Sequence, residues 1–269
     1  MFRVAKHLLR GLGNTLAVND NVDVSEVDGV RALHLGSATV QSAMRIRDPF
    51  ALELRYTRAI MCFLLFNDQV KKMLTIGLGG GSVPKYIYAN CPEIAGKVVE
   101  INPRVIQVAR NQFYVPENDE RFEVIETDGL QYLADHTEST DVLLIDAFDR
   151  NGIPPDFCSQ AFFDNCAAAI NVGGTFVMNL WGSDKNFPVY FQRIETSFEG
   201  RALMLPTGSP GNIAVFAFRS DSNNLKISSL RQRAKKLEQT HQIEFLQFLD
   251  KLIEHNPGSQ SRLYMKSDL

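Results

Sequence analysis

The chain has no Cys-x-x-Cys pair, no histidine cluster at metal-ligand spacing and no excess of basic residues. Its four cysteines, Cys62, Cys91, Cys158 and Cys166, stand far apart, and the five histidines keep no ligand spacing with them. Neither a metal site nor a disulfide frame is therefore expected, and buried thiols in a reducing cytoplasm are the simpler reading. His7, His34, His136, His241 and His255 are expected at the surface. A formal net charge of −3 offers no broad cationic face, so no nucleic-acid partner is expected. One local run of bases, Arg231, Arg233, Lys235 and Lys236, is followed by acids and reads as a solvated helix face. Long apolar runs are missing too. The opening stretch MFRVAKHLLRGLGNTLAV is broken by His7 and Arg10 and is too short for a secretory leader or a membrane span. The expectation is a cytoplasmic protein with no membrane contact. Internal repeats and low-complexity tracts are also lacking.

What is present is enough apolar sequence for a core: 45% hydrophobic residues in a chain of 269. Residues 22–46 fall into three β-like runs, VDVSEV, VRALHL and ATVQSAM, punctuated by Asp28-Gly29 and Gly36-Ser37. This predicts a small antiparallel sheet. Apolar residues at helical spacing from Ala51 to Phe66 predict a helix leading into the main domain. From there strands and helices alternate: strand 73–76, helix 83–90, strand 97–101, helix 103–112, strand 121–126, helix 129–135 and strand 141–145. Apolar strands alternating with helices predict a parallel, doubly wound α/β sheet covered on both faces. A loop at 150–157, a helix at 159–170, a Gly173-Gly174 turn, the run TFVMNLW and a late strand at 213–218 follow. Residues 225–255 read as polar helix and the end after Pro257 as frayed. The expected division is 1–70 for the small β domain and its linking helix, 71–220 for the nucleoside-binding domain, and 221–269 for the C-terminal helix and tail.

Three strand ends in succession carry the chemistry. The run Met73–Ile76 stops at a loop containing Gly77, Gly79, Gly80 and Gly81, and a helix then opens with Pro84 in its first turn. Such a loop lets a ligand approach the backbone and the helix N-terminus. The pattern is GxGxG, with Ser82 where a dinucleotide fingerprint has its last glycine, which favours an S-adenosyl ligand over NAD; no Gly-Lys-Ser/Thr follows, so a Walker loop is excluded. Glu100 ends the second run at the spacing of a ribose-binding acid, and Asp128-Gly129 ends the third. Asp128 can cap the following helix and also accept from an adenine amino group. The fourth run ends in Asp146 and Asp149. These are either turn formers before RNGIPP or a pair of carboxylates that hold a cationic amine and take its proton. Trp181 either floors a pocket or packs in the core.

At these residues the chain resembles the polyamine aminopropyltransferases, of which spermidine synthase is the type member, over roughly residues 25–220. The resemblance implies a class I methyltransferase-type Rossmann domain behind a small β domain. It also implies transfer of an aminopropyl group from decarboxylated S-adenosylmethionine to an amine such as putrescine, with no prosthetic group. By the same resemblance Gln41 and Tyr56 line the amine pocket, Glu100 holds ribose, Asp128-Gly129 contact adenine, Asp146 accepts the proton and Asp149 grips the diamine. Related enzymes are often dimers. The chain departs from the family's GGGDGG loop, having Gly80 where the family has an aspartate. The stretch between Gln41 and Tyr56 is longer than in the archetypes, and LPTGSPGNIAV lacks the family's pocket tyrosine. Intact S-adenosylmethionine carries a carboxylate that an aspartate at position 80 would repel, and glycine removes that discrimination. The alternatives are therefore an S-adenosylmethionine-dependent methyltransferase of the same fold, or a non-catalytic nucleoside-binding member.

Overall fold

A computed structural model describes residues 22–208, 211–220 and 225–265. His7 and the opening apolar stretch lie outside them. Strands β1 (Val22–Val27), β2 (Val30–Leu35) and β3 (Ser42–Arg45) form an antiparallel sheet in that order. Asp28 and Gly29 both take positive φ, the conformation of a two-residue hairpin turn whose twist matches its strands. The second connection is less regular than ATVQSAM suggests: residues 36–41 form a loop, closed by the Gln41 N–H donating to the Leu33 carbonyl at 2.9 Å.

The helix expected over 51–66 is two short helices, α1 (Arg55–Ile60) and α2 (Phe63–Phe66). Its first turn does not form because the Arg58 guanidinium takes the Leu52 and Glu53 carbonyls at 3.0 and 2.9 Å, while the Glu53 carboxylate is held by Arg45 at 2.7 Å. Between the two, the chain tightens into three-residue bonds, Met61 N–H to Arg58 and Cys62 N–H to Ala59. Every residue from Ala59 to Phe66 is buried, so this segment is enclosed on all sides.

The main sheet contains β4 (Lys72–Ile76), β5 (Ala95–Glu100), β6 (Phe122–Glu126), β7 (Thr140–Ile145), β8 (Ile170–Trp181), β9 (Ala202–Pro206) and β10 (Asn212–Phe218). Their order is β6-β5-β4-β7-β8-β10-β9, and β10 runs antiparallel to both of its neighbours. Helices α3 (Ser82–Asn90), α4 (Pro103–Phe113), α5 (Gly129–Asp135), α6 (Gln160–Ala169) and α7 (Phe187–Ser197) connect the strands, and α8 (Ile227–His241) and α9 (Phe245–His255) follow the last strand. Alternate residues of β7 feed two cores. Val142 and Leu144 pack with α2, α8 and α9 residues such as Leu65, Leu230 and Phe248, while Leu143 and Ile145 pack with Phe163 and Phe198 on the opposite face. A further cluster of Leu33, Met44 and Phe113 joins the N-terminal sheet to the end of α4, where Arg31 also donates to the Gln112 carbonyl at 2.6 Å.

Four sequence expectations need correction. Gly173-Gly174 is no turn: β8 runs through it, Gly173 has φ +83°, and the register with β7 shifts there, as in a β-bulge. The 225–255 segment breaks at Gln242, whose left-handed conformation (φ 55°) ends α8. The tail after Pro257 is folded rather than frayed as far as Met265, because Leu263 and Met265 are apolar and buried in the core under α8. It is fixed by bridges from Gly258 to Leu263 and from Lys226 to Arg262. His34 is buried, its ring between the Ser25 hydroxyl and the Thr39 carbonyl. Helix α7 and strand β9 had no counterpart in the sequence reading. All four cysteines are buried.

Candidate active site

The strand order reverses between β4 and β7: the chain proceeds outward through β5 and β6, then returns to the other side of β4. Crevices outside the carboxyl ends of strands at such a point are where open α/β sheets bind ligands. Here the two central ends touch, the Asp146 N–H donating to the Ile76 carbonyl at 3.0 Å. Gly77 has φ +93°, and a Cβ there would sit 2.5 Å from the Asp146 carbonyl oxygen, so only glycine lets the two strand ends lie this close.

A cavity of about 720 Å³ opens over this junction. Gly77, Gly79, Glu100, Asp128, Gly129, Asp146, Asp149 and Gln41 all line it. Glu100 is half-buried at the end of β5 and ties the glycine loop down: its carboxylate accepts from the Leu78 N–H and the Asn102 N–H, each at 2.9 Å. Burial pushes its carboxyl above the usual carboxylate range, against the pull of N–H groups from Leu78, Asn102, Ile101 and Gly79. Beside it Ile101, 64% exposed, gives the cavity an apolar wall. Asp128 is exposed and caps α5, accepting from the Leu130 N–H at 2.8 Å.

Asp146 lies on the cavity floor. One carboxylate oxygen accepts from the Asn179 amide at 2.9 Å, and the other faces the Tyr56 hydroxyl at 3.5 Å. Burial pushes its carboxyl up to about 6, while the bonds from Asn179 and Tyr56 oppose the rise. The Tyr56 hydroxyl is in turn pushed well above its usual range, first by burial and then by the Asp146 charge. Tyr56 also donates to the Gln41 carbonyl at 3.2 Å, and the Gln41 amide reaches the Asp149 carbonyl at 3.5 Å. The Asp149 side chain accepts from the Asn151 N–H at 2.6 Å, so it shapes its own turn while lining the cavity. Gln41 and Tyr56 thus converge on the acidic pair from elements distant in sequence.

Gly80 and Gly81 are placed differently from the other loop glycines. Both are buried, and neither lines the cavity. The Gly80 N–H donates to the Ser42 hydroxyl at 2.9 Å, and a Cβ at Gly80 would meet Ser42 and the Phe113 ring, each at 2.9 Å. A Cβ at Gly81 would collide with Val115. Trp181 stacks on Phe148 with ring centres 5.5 Å apart and packs behind Gly152, outside the set of lining residues. Ser42 and Asn179 were not found from sequence. A serine on a short strand and an asparagine inside an apolar strand carry no spacing signature, and only the fold brings them to the site. Among the described residues no three His, Cys, Asp or Glu side chains converge as metal ligands, and no helix is long and apolar enough to cross a membrane.

Comparison with known proteins agrees with this architecture. The model of the spermine/spermidine synthase domain matches residues 53–198. A polyamine aminopropyltransferase of Chromobacterium violaceum is 41% identical, over 90% of this chain and 93% of that protein. Among solved structures, a spermidine synthase in complex with the transition state analogue AdoDATO superposes with a TM-score of 0.65 at 17% identity, covering 84% of each chain. Human methyltransferase-like protein 13 in complex with SAH superposes with a TM-score of 0.63 at 23% identity, over 70% of this chain and 93% of that one. These two structures share the class I methyltransferase-type Rossmann fold seen here. With the domain model covering more than half of the chain and a relative this similar along nearly its whole length, the chain belongs to the polyamine aminopropyltransferases, a family of transferases.

Proposed function

We propose that this protein transfers the aminopropyl group of decarboxylated S-adenosylmethionine to a small diamine such as putrescine. The observation that supports this most is the order of polar groups along the sheet edge. Asp128 follows β6, Glu100 ends β5, the glycine loop follows β4 and Asp146 follows β7, and all four line one cavity. With neighbouring strands about 4.8 Å apart, Glu100 and Asp146 stand roughly 10 Å from one another at the backbone. That sequence of groups suits adenine near Asp128, ribose hydroxyls on Glu100, the sulfonium over the loop and the aminopropyl arm toward Asp146.

In the step itself the acceptor's neutral amine attacks the carbon bonded to sulfur. The C–N bond forms as the C–S bond breaks, the electron pair of that bond goes to sulfur, and methylthioadenosine leaves uncharged. The new ammonium then gives a proton to Asp146. At neutral pH a carboxyl titrating at about 6 is ionised and ready to accept it. Asp149 and Gln41 border the same end of the cavity, where the second ammonium of a diamine needs a counter-charge. Purified protein given labelled decarboxylated donor and a panel of diamines is expected to release methylthioadenosine and a labelled polyamine; no product with any amine contradicts the proposal. The four buried thiols fit a reducing cytoplasm as the place where this happens.

One observation favours a second reading, methyl transfer from intact S-adenosylmethionine. The space beside Gly80 is filled by Ser42 and Phe113, so position 80 has no room for an aspartate that would repel a donor carboxylate. Calorimetry with the two donors separates the readings: tighter binding of the decarboxylated donor supports aminopropyl transfer, and tighter binding of the carboxylated one supports methyl transfer.

A further inference from the structure

Asp146 is one end of a chain of side-chain amides that extends away from the cavity. Ile145 pairs with Met178 across the parallel β7–β8 ladder, which brings the next residues, Asp146 and Asn179, side by side. The Asn179 amide nitrogen donates to Asp146 at 2.9 Å. Across the antiparallel β8–β10 ladder Asn212 pairs with Trp181, two residues from Asn179, so Asn212 and Asn179 are diagonal neighbours on one face. The Asn212 amide nitrogen donates to the Asn179 amide oxygen at 2.8 Å. The main chain at Asn212 is held in place, its backbone carbonyl accepting from both the N–H and the hydroxyl of Thr207 at 2.9 and 2.8 Å. Asn179 is 3% exposed, so water does not substitute for either partner.

An asparagine amide presents a donor at one end and an acceptor at the other, and the two ends have nearly the same shape. What decides which end faces Asp146 is the group at the far side. A donor from Asn212 turns the Asn179 oxygen outward and commits its NH₂ to the carboxylate. We propose that Asn212 and Asn179 form a positioning relay that orients the amide against Asp146 and keeps that carboxylate ionised and aimed as the proton acceptor. This rests on the role given to Asp146 above. Asn212 touches neither substrate nor Asp146, and acts through Asn179.

The charged and titratable groups around Asp146 among the described residues are Tyr56 from α1, Asp149 and Arg150 from its own loop, and Glu100 and Asp128 across the cavity. β4 presents Gly77 there, and β8 and β10 present the two asparagines. A change at position 212 replaces none of the charged or titratable groups among these. Asn212→Asp replaces the donor with an acceptor, which favours the flipped Asn179 amide with its oxygen against Asp146. The expected result is an acidic limb of kcat/KM displaced upward by about one pH unit, which is roughly a tenfold loss of rate below that limb and little change well above it. A merely structural role would lower the rate equally at every pH. Because a new charge at position 212 also acts through space, the same substitution is made in Asn179→Leu. Under the relay the displacement disappears there; an equal displacement in both backgrounds, or none in either, overturns the proposal.

A measurement on the unmodified protein needs neither turnover nor a variant. The side-chain amide resonances of Asn179 and Asn212 are both expected to follow the titration of the Asp146 carboxyl, and absence of any response at Asn212 overturns the relay. If instead the protein makes no polyamine while both amides titrate with Asp146, the assigned reaction fails and the relay stands.

Discussion

In the proposed reaction the proton chemistry falls on one side chain, Asp146, and its environment explains how. Burial raises its carboxyl to about 6 while Asn179 and Tyr56 hold it to a fixed orientation. The raised value means that the charged form is lost as pH falls through about 6, so turnover is expected to fall below that pH and to level off above it. Replacing it by Asn keeps the shape and removes the proposed proton acceptor. Asp146→Asn is expected to reduce kcat by about 10²- to 10⁴-fold, the usual contribution of a general base, with donor affinity little changed. Steady-state kinetics with a calorimetric donor Kd check this, and a variant of near-normal kcat contradicts it. The carboxylates at this scale were legible because an acid that ends an apolar run is conspicuous in a one-dimensional string. Ser42, Asn179 and Asn212 were not, since each reaches its partner across 33 or more residues, the asparagines through strand pairing and Ser42 through the packing of the small sheet on the glycine loop.

Among the elements, the contact that most affects the glycine loop comes from outside the main sheet. Ser42, the first residue of β3, accepts the buried Gly80 N–H, and Phe113 at the end of α4 closes the other side. Lys85 on α3 completes the arrangement by donating to the Phe113 carbonyl at 2.7 Å. Ser42→Ala leaves a buried N–H without a partner and is expected to cost about 1–3 kcal/mol of stability. It should also weaken donor binding, because the loop loses its brace. Urea denaturation and calorimetry report the two effects, and an unchanged midpoint contradicts the role given to Ser42. The C-terminal tail offers a second test, since Leu263 is fully buried. Leu263→Ala is expected to lower stability by about 2–5 kcal/mol, as for other buried leucines, whereas a frayed tail would show no loss. Parallel strands were easy to read because they are apolar throughout. The 51–66 helix was misread because its periodicity says nothing about Arg58 and Glu53 taking partners that forbid the first turn. A Gly-Gly pair signals a turn or a bulge equally, and only the pairing partner decides between them.

For the whole molecule, the balance of buried charge makes a pH-dependent prediction. Lys85 is 1% exposed, and burial lowers its amine from 10.5 to about 8. Between those values the folded protein binds fewer protons than the unfolded chain, so this group adds stability as pH rises through the window. The gain is at most about 1.4 kcal/mol per pH unit. Other groups titrate nearby, including Cys91 and Tyr86, both pushed up to about 12 by burial. A comparison with Lys85→Met between pH 8 and 9.5 isolates the lysine: wild type is expected to gain on the variant as pH rises. Parallel pH profiles would show that Lys85 is not held uncharged. Composition already described a cored protein without a broad basic face and the alternation of apolar runs an α/β sheet, but the packing of a small β sheet onto the loop and helix of the candidate site depends on contacts between segments far apart in the chain.

In the proposed function, polar groups ranked along one sheet edge match the parts of a sulfonium nucleoside in order. A crystal structure with methylthioadenosine tests it most directly. Ribose hydroxyls are expected on Glu100, the adenine amino group near Asp128 and the sulfur turned toward Asp146. A nucleoside bound in the reverse direction, with adenine against Asp146, or bound outside this cavity, would contradict it.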